Sequence, residues 1–210
     1  MNSPFLKIAC LVSVLTVCGS RGDNVGGSTL YGMLAYPPIP PFAGINPGQG
    51  HAKLGGGVGL DYAWPMTLGE NLGFILGIAC AFNPVNTAGI VPLRPGDDVK
   101  MGYWLSAPIL AGFKFQVTSD PVDYYAMVQG GAVMASLTDS RIGRQLYVTP
   151  TGFSYASGAG LGFIVNQKID FGIKLLHMGQ PDYKGQVPGL FVAGKQKPLL
   201  VTVSVGIHVN

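Results

Sequence analysis

Along much of this chain apolar residues recur at every second position. Between residues 72 and 82, Leu72, Phe74, Leu76, Ile78, Cys80 and Phe82 fall on one face, and Gly73, Ile75, Gly77, Ala79 and Ala81 on the other. Near the end, Leu199, Val201, Val203, Val205, Ile207 and Val209 oppose Leu200, Thr202, Ser204, Gly206, His208 and Asn210. A period of two belongs to a β-strand, because a helix would scatter both sets around its circumference. The same alternation runs through Ala52–Trp64, Tyr103–Phe115, Val122–Met134, Phe153–Val165 and Ile169–Leu175, and less cleanly through Ser28–Tyr36. The pattern predicts eight strands, each about long enough to cross a bilayer obliquely.

The connections alternate in length. Short ones are expected at Pro65–Glu70, Gln116–Pro121 and Asn166–Lys168, and long ones at Pro37–Gly50, Asn83–Met101, Ser136–Gly152 and Gly179–Gln196. Outer-membrane barrels have short turns on the periplasmic side and long loops outside. The predicted fold is therefore all-β: an eight-stranded antiparallel up-and-down transmembrane β-barrel.

The faces opposite the apolar rows separate this fold from a soluble barrel, whose outer face would carry many Lys, Glu and Asp. Here those faces are mostly Gly, Ala and Ser, which suit the crowded inside of a narrow barrel. Leu, Val, Ile and Phe are then left to meet lipid. The polar residues on the small-residue faces become lumen candidates: Lys53, Asp61, Lys114, Asp123, Gln129, Asp170, Lys174 and His208. Such charges must pair or be hydrated. They form either an ion-pair plug or an ion path. Lys114 and Asp123 flank one short turn and are expected to pair across it, whereas Asp61 and Asp170 are expected at the turn-side ends, in reach of solvent. Aromatic girdles are expected at both interfaces. Tyr62, Trp64, Phe113, Phe115, Tyr124 and Phe171 would form the turn-side girdle, and Tyr36, Phe82, Tyr103, Phe153 and Tyr155 the other.

Composition agrees. Only 11% of the 210 residues are charged while 48% are hydrophobic, and Gly (32) and Pro (16) disfavour long helices. The net charge of +3 forms no basic run with interleaved aromatics, so nucleic acid is not an expected partner. At the start, Lys7 and the apolar run Ile8–Val17 read as a signal peptide over residues 1–20, with cleavage after Gly19 or Ser20 and the barrel over 21–210. Leu15-Thr16-Val17-Cys18 also resembles a lipoprotein processing box, with Val17 where a small residue is usual. Beyond this segment only Cys80 remains, which excludes an internal disulfide or a Cys-based metal site.

Catalytic and metal-binding signals are thin. The histidines are His51, His177 and His208, and no Ser follows His177 in the run His177-Met178-Gly179-Gln180-Pro181. Asp97 and Asp98 read as turn residues, because Ca²⁺ needs six to eight oxygen ligands. No enzyme, cofactor or metal is expected. The loops offer contact candidates: Phe42 after the stiff Pro37-Pro-Ile-Pro-Pro41 run, and Arg141, Arg144 and Tyr147 in the third long connection.

Four segments carry a family resemblance: Gly55-Gly-Gly-Val-Gly-Leu-Asp-Tyr62, Glu70-Asn-Leu-Gly-Phe74, Leu105-Ser-Ala-Pro-Ile-Leu-Ala-Gly-Phe113 and Gln129-Gly-Gly-Ala132. Over residues 26–210 the chain resembles the small eight-stranded outer-membrane barrels of the OmpA/OmpX/OmpW-like superfamily, and OmpW most. It departs from them in ending His208-Val209-Asn210, without a terminal aromatic. The resemblance implies outer-membrane lipid and the barrel-assembly machinery as partners. It also implies a narrow pore or binding lumen for small, hydrophobic solutes. The alternative expectation is a surface adhesin or structural envelope barrel whose long loops bind a host or matrix ligand.

Overall fold

The computed structural model describes residues 25–39, 42–43, 52–67, 71–85, 102–138, 151–179, 194–195 and 197–209. The expected leader, Cys18, His51, Asp97, Asp98, Arg141, Arg144 and Tyr147 lie outside them. Ten strands follow in order: β1 (Gly27–Ile39), β2 (Phe42–Ala43), β3 (Gly55–Pro65), β4 (Leu72–Val85), β5 (Gly102–Val117), β6 (Val122–Thr138), β7 (Thr151–Val165), β8 (Ile169–Met178), β9 (Gly194–Lys195) and β10 (Leu199–Val209). Eight of them close a barrel in the order β1-β10-β8-β7-β6-β5-β4-β3, every neighbouring pair antiparallel. Closure leaves no sheet edge unpaired. No helix occurs among the described residues.

The two extra strands are a finding beyond the sequence pattern. β2 and β9 form a separate two-residue ribbon that joins the first and last long connections, with Phe42 paired to Lys195 and Ala43 to Gly194. A two-residue element carries no periodicity to read. The barrel strands also run further into the long-connection side than expected, to Val85 in β4 and Thr138 in β6. Alternation had stopped at Asn83 and Ser136 because polar residues there occupy inward or shielded positions. β1 absorbs Pro37 and Pro38 at a register shift between Tyr36 and Ile39, where a missing N–H is tolerated. The β4–β5 ladder pauses opposite Ala107 and Pro108, then resumes in the same register at Ile109. Pro108 has no N–H to give.

The turn at Asn166–Gln167 has both residues at positive φ, 51° and 55°, and Lys168 N donates to Val165 O at 3.0 Å. That is a two-residue hairpin turn whose twist matches its strands.

Burial alternates along most of the barrel, with breaks at residues 59–61 in β3 and 130–132 and 135–137 in β6. On the outside, Leu30, Leu34, Val58, Ile109, Val128, Leu161, Ile173, Val205 and Ile207 are each exposed by half or more. Every charged residue of a described barrel strand (Asp61, Lys114, Asp123, Asp170, Lys174) is buried inside. An uncharged apolar band of this extent is costly in water and natural in hydrocarbon. On the turn side it ends in a chain of aromatic rings crossing β3, β4 and β5: Tyr62 to Trp64 at 4.3 Å, Trp64 to Phe74 at 5.9 Å and Phe74 to Phe113 at 6.3 Å. On the other side Tyr36, Phe82, Tyr103, Phe153 and Tyr155 are all exposed.

Candidate functional site

The barrel interior gathers nearly all the polar chemistry of the described strands, in layers. Nearest the short turns, Thr29 Oγ1 and His208 Nδ1 lie 2.8 Å apart on paired strands β1 and β10. Thr29 Oγ1 also donates to Asp170 Oδ2 at 3.4 Å, and Tyr125 OH donates to Asp170 Oδ1 at 2.7 Å. Lys114 Nζ sits 4.6 Å from the centroid of the Tyr125 ring. Asp123 accepts from Gln116 Nε2 at 3.4 Å and from the Ser119 backbone N–H at 3.3 Å. The Lys114–Asp123 turn pair expected from sequence is thus replaced: Asp123 turns toward the turn backbone and Lys114 toward an aromatic face.

The middle layer holds a pair that crosses the lumen. Lys174 Nζ on β8 donates to Asp61 Oδ2 on β3 at 2.5 Å and to Tyr31 OH on β1 at 3.3 Å. Tyr31 OH donates to Asp61 Oδ1 at 3.4 Å, and the ammonium lies 4.8 Å from the Tyr31 ring centroid. Asp61 is therefore at mid-height and not at a turn-side end, and Asp170, which is in the turn-side layer, is not in reach of solvent. Both are buried. A carboxylate and an ammonium taken out of water stay charged only with such partners.

Glycine makes this packing possible at two places. A Cβ at Gly59 would collide with the Tyr31 ring, and one at Gly162 with the Tyr125 ring. Each tyrosine lies flat over a glycine on a neighbouring strand, which brings its hydroxyl to the carboxylate.

The layer toward the long connections is apolar. Met33, Ala35, Val85, Trp104, Val133, Leu137, Met178 and Leu200 pack into one cluster. The sequence suggested small residues throughout the lumen, but half of its height is filled by large side chains. Trp104 falls on the inward face of the Tyr103–Phe115 alternation, whereas Leu137 and Met178 were missed because they lie past the last residues where alternation was clear. Two polar groups interrupt this layer. Asn83 Nδ2 donates to Ala35 O at 2.7 Å and to Lys53 O at 2.9 Å, which ties the first long connection to the barrel. Asn83 Oδ1 and Trp104 Nε1, on residues paired across β4 and β5, have no hydrogen-bond partner among the described residues.

The lumen candidates divide accordingly. Asp61, Lys114, Asp123, Gln129, Asp170, Lys174 and His208 are buried in the interior. Lys53 is the exception: it precedes β3 and is exposed, because the strand begins at Gly55 and its neighbour Ala52 makes only an isolated bridge to Val85. Of the loop candidates only Phe42 is described, by its backbone pairing in the ribbon. Across the strands, outward Ser157 lies opposite His177, whose ring is 6.0 Å from Tyr155. A search along the sequence for Ser near His177 misses this pair. No hydrogen bond joins them, and no described barrel-strand carboxylate faces outward to orient the imidazole. The arrangement therefore lacks the parts of an activated nucleophile. No metal-ligand cluster occurs among the described residues.

No family model matches the chain, and no curated protein matches it. Solved structures do. Neisserial surface protein A aligns over 89% of this chain and 99% of its own at 13% identity, with a TM-score of 0.53. Ail, the attachment invasion locus protein of Yersinia pestis, solved with the heparin analogue sucrose octasulfate, covers 88% and 99% at 15% identity (TM-score 0.49). The outer membrane protein OprG from Pseudomonas aeruginosa covers 91% and 100% at 12% identity (TM-score 0.48). The first of these likenesses is one of fold: the chain has the architecture of the small eight-stranded outer-membrane barrels.

Proposed function

We propose that this protein is an outer-membrane barrel with a closed lumen, acting through the rim that carries its long connections. The observation that supports a closed lumen is the filled interior. Among the described residues, two cavities between the layers measure about 20 and 10 Å³, against roughly 300–1,000 Å³ for pockets that hold small molecules. The Asp61–Lys174 pair bars the middle and the apolar cluster bars the end beyond it. The uncharged outer band and its aromatic borders support the membrane location, with the short turns toward the periplasm and the loops outside.

On such a scaffold, binding falls to the loops. The four long connections, residues 40–54, 86–101, 139–150 and 179–198, hold eight Lys and Arg against four Asp and no Glu. This excess favours an anionic partner, such as a sulfated or phosphorylated glycan of the envelope or of a host surface. Arg141 and Arg144 lie together in one of these connections, near Tyr147, and Phe42 lies in another. The test uses the folded protein in detergent on an immobilised sulfated polysaccharide. Retention that falls with salt and weakens in Arg141→Gln/Arg144→Gln supports the reading. Absence of retention at low salt, together with steady single-channel conductance in planar bilayers, would refute it.

A second reading, binding of a small apolar solute within the lumen, is favoured by one observation. Asn83 Oδ1 and Trp104 Nε1 offer an acceptor and a donor inside an otherwise apolar layer. With Trp64→Phe, Trp104 is the sole tryptophan, and a titrated apolar alcohol that binds there changes its emission.

A further inference from the structure

The pause in the β4–β5 ladder opposite Pro108 coincides with a cavity of about 20 Å³ at mid-height in the barrel. Its walls include Asp61, Gly77, Ser106, Gln129 and Lys174. Ser106 is wholly buried and Gln129 is 7% exposed, yet Ser106 Oγ and Gln129 Nε2 have no hydrogen-bond partner among the described residues. Buried hydroxyls and amides left unpaired are strongly disfavoured. Gln129 faces this space at the level of Gly77, whereas Ser106, paired with Ala81 and Ala135, lines its end toward the long connections.

Gly77 shapes that space. A Cβ there would collide with Asp61 Oδ1 and lie 3.2 Å from Gln129 Nε2. The carboxylate oxygen and the amide nitrogen therefore flank a single point, with a gap that one molecule can bridge by two hydrogen bonds of about 2.8–3.0 Å. A cavity needs roughly 10–15 Å³ to hold one water, and the water needs two to four polar partners. Both conditions are met. A cation would compete with the Lys174 ammonium for Asp61, and an anion would face the carboxylate. A neutral molecule that both donates and accepts fits the set.

We propose that this is a built site for one internal water, which accepts from Gln129 Nε2 and donates to Asp61 Oδ1. Asp61 is already held by Lys174 on β8 and Tyr31 on β1. The water extends that network to β6, so that one polar strut spans the barrel. The site depends on the interior alone and stands whether or not the rim binds an anionic partner.

The mature protein is crystallised at a resolution that shows ordered water, and the urea unfolding midpoint is measured for Gln129→Met. Density within hydrogen-bond distance of Gln129 Nε2 and Asp61 Oδ1, with a lower midpoint in the variant, is the expected result. Gly77→Ala removes the density if it folds, and Gln129→Met decides if it does not. A site without density where other lumen waters are ordered would overturn the proposal. So would a midpoint that rises in Gln129→Met, since that is the sign for deleting an unpaired polar group.

Discussion

Replacing Lys174 by Met keeps an unbranched side chain of similar length and deletes the charge. Asp61 then loses its ammonium and keeps Tyr31 OH, at 3.4 Å, as its remaining described protein donor. Both side chains of the pair are about nine-tenths buried, at 9% and 11% exposure, so solvent cannot take over. Removing one partner of a buried pair costs about 3–5 kcal/mol, because the survivor is left uncompensated. With a urea dependence of roughly 2 kcal/mol per molar, the unfolding midpoint in lipid or detergent should fall by about 1.5–2.5 M. The double variant Asp61→Leu/Lys174→Met removes both charges and should recover most of that loss. The assay is the fraction of heat-modifiable, folded barrel on gels against urea. A single variant as stable as the parent, or a double variant as weak as the single, would refute the cross-lumen strut.

Three further outcomes follow from the geometry. Gly162→Val should push the Tyr125 ring off its glycine and break the 2.7 Å bond to Asp170, lowering stability by about 1–3 kcal/mol; an unchanged urea midpoint would contradict that packing. Gln167→Gly should raise stability by up to ~1 kcal/mol, since Gln167 sits at φ 55° without a glycine's freedom, and a lower midpoint would argue against the positive-φ turn. Leu161→Arg, at the outward position that is 68% exposed, should cost about 2–4 kcal/mol in a bilayer. A neutral effect there, by the same gel assay in lipid vesicles, would mean that this face meets water.

Strand positions and facing were legible because lipid outside and small residues inside impose a strict period of two. β1 was harder to read because its lumen face carries Tyr31, Met33 and Ala35 while Gly32 interrupts its outer row. The two faces therefore look alike in hydropathy, although burial alternates cleanly. The lumen charges of the strand segments could be named from the pattern, but their partners could not. Asp61 and Lys174 stand 113 positions apart, and only closure of the barrel brings β3 and β8 within reach. Lys53 was misplaced by extending a strand through residues that precede it. The β2–β9 ribbon joins connections far apart in sequence, and no local pattern records that.

The central claim is a barrel with lipid outside and a filled interior, and thiol accessibility tests both at once. In a Cys80→Ser background, Ser106→Cys and Ser204→Cys place small thiols on the lumen side, while Val203→Cys and Val205→Cys place them outside. In folded protein in vesicles, the lumen thiols should resist a charged, water-soluble reagent until the barrel is unfolded. The outer thiols should react with a lipid-dissolved maleimide and not with the charged reagent. Rapid modification of Ser106→Cys by the charged reagent would show an open, water-filled lumen, and the same result at Val203→Cys would show that the barrel does not lie in the membrane.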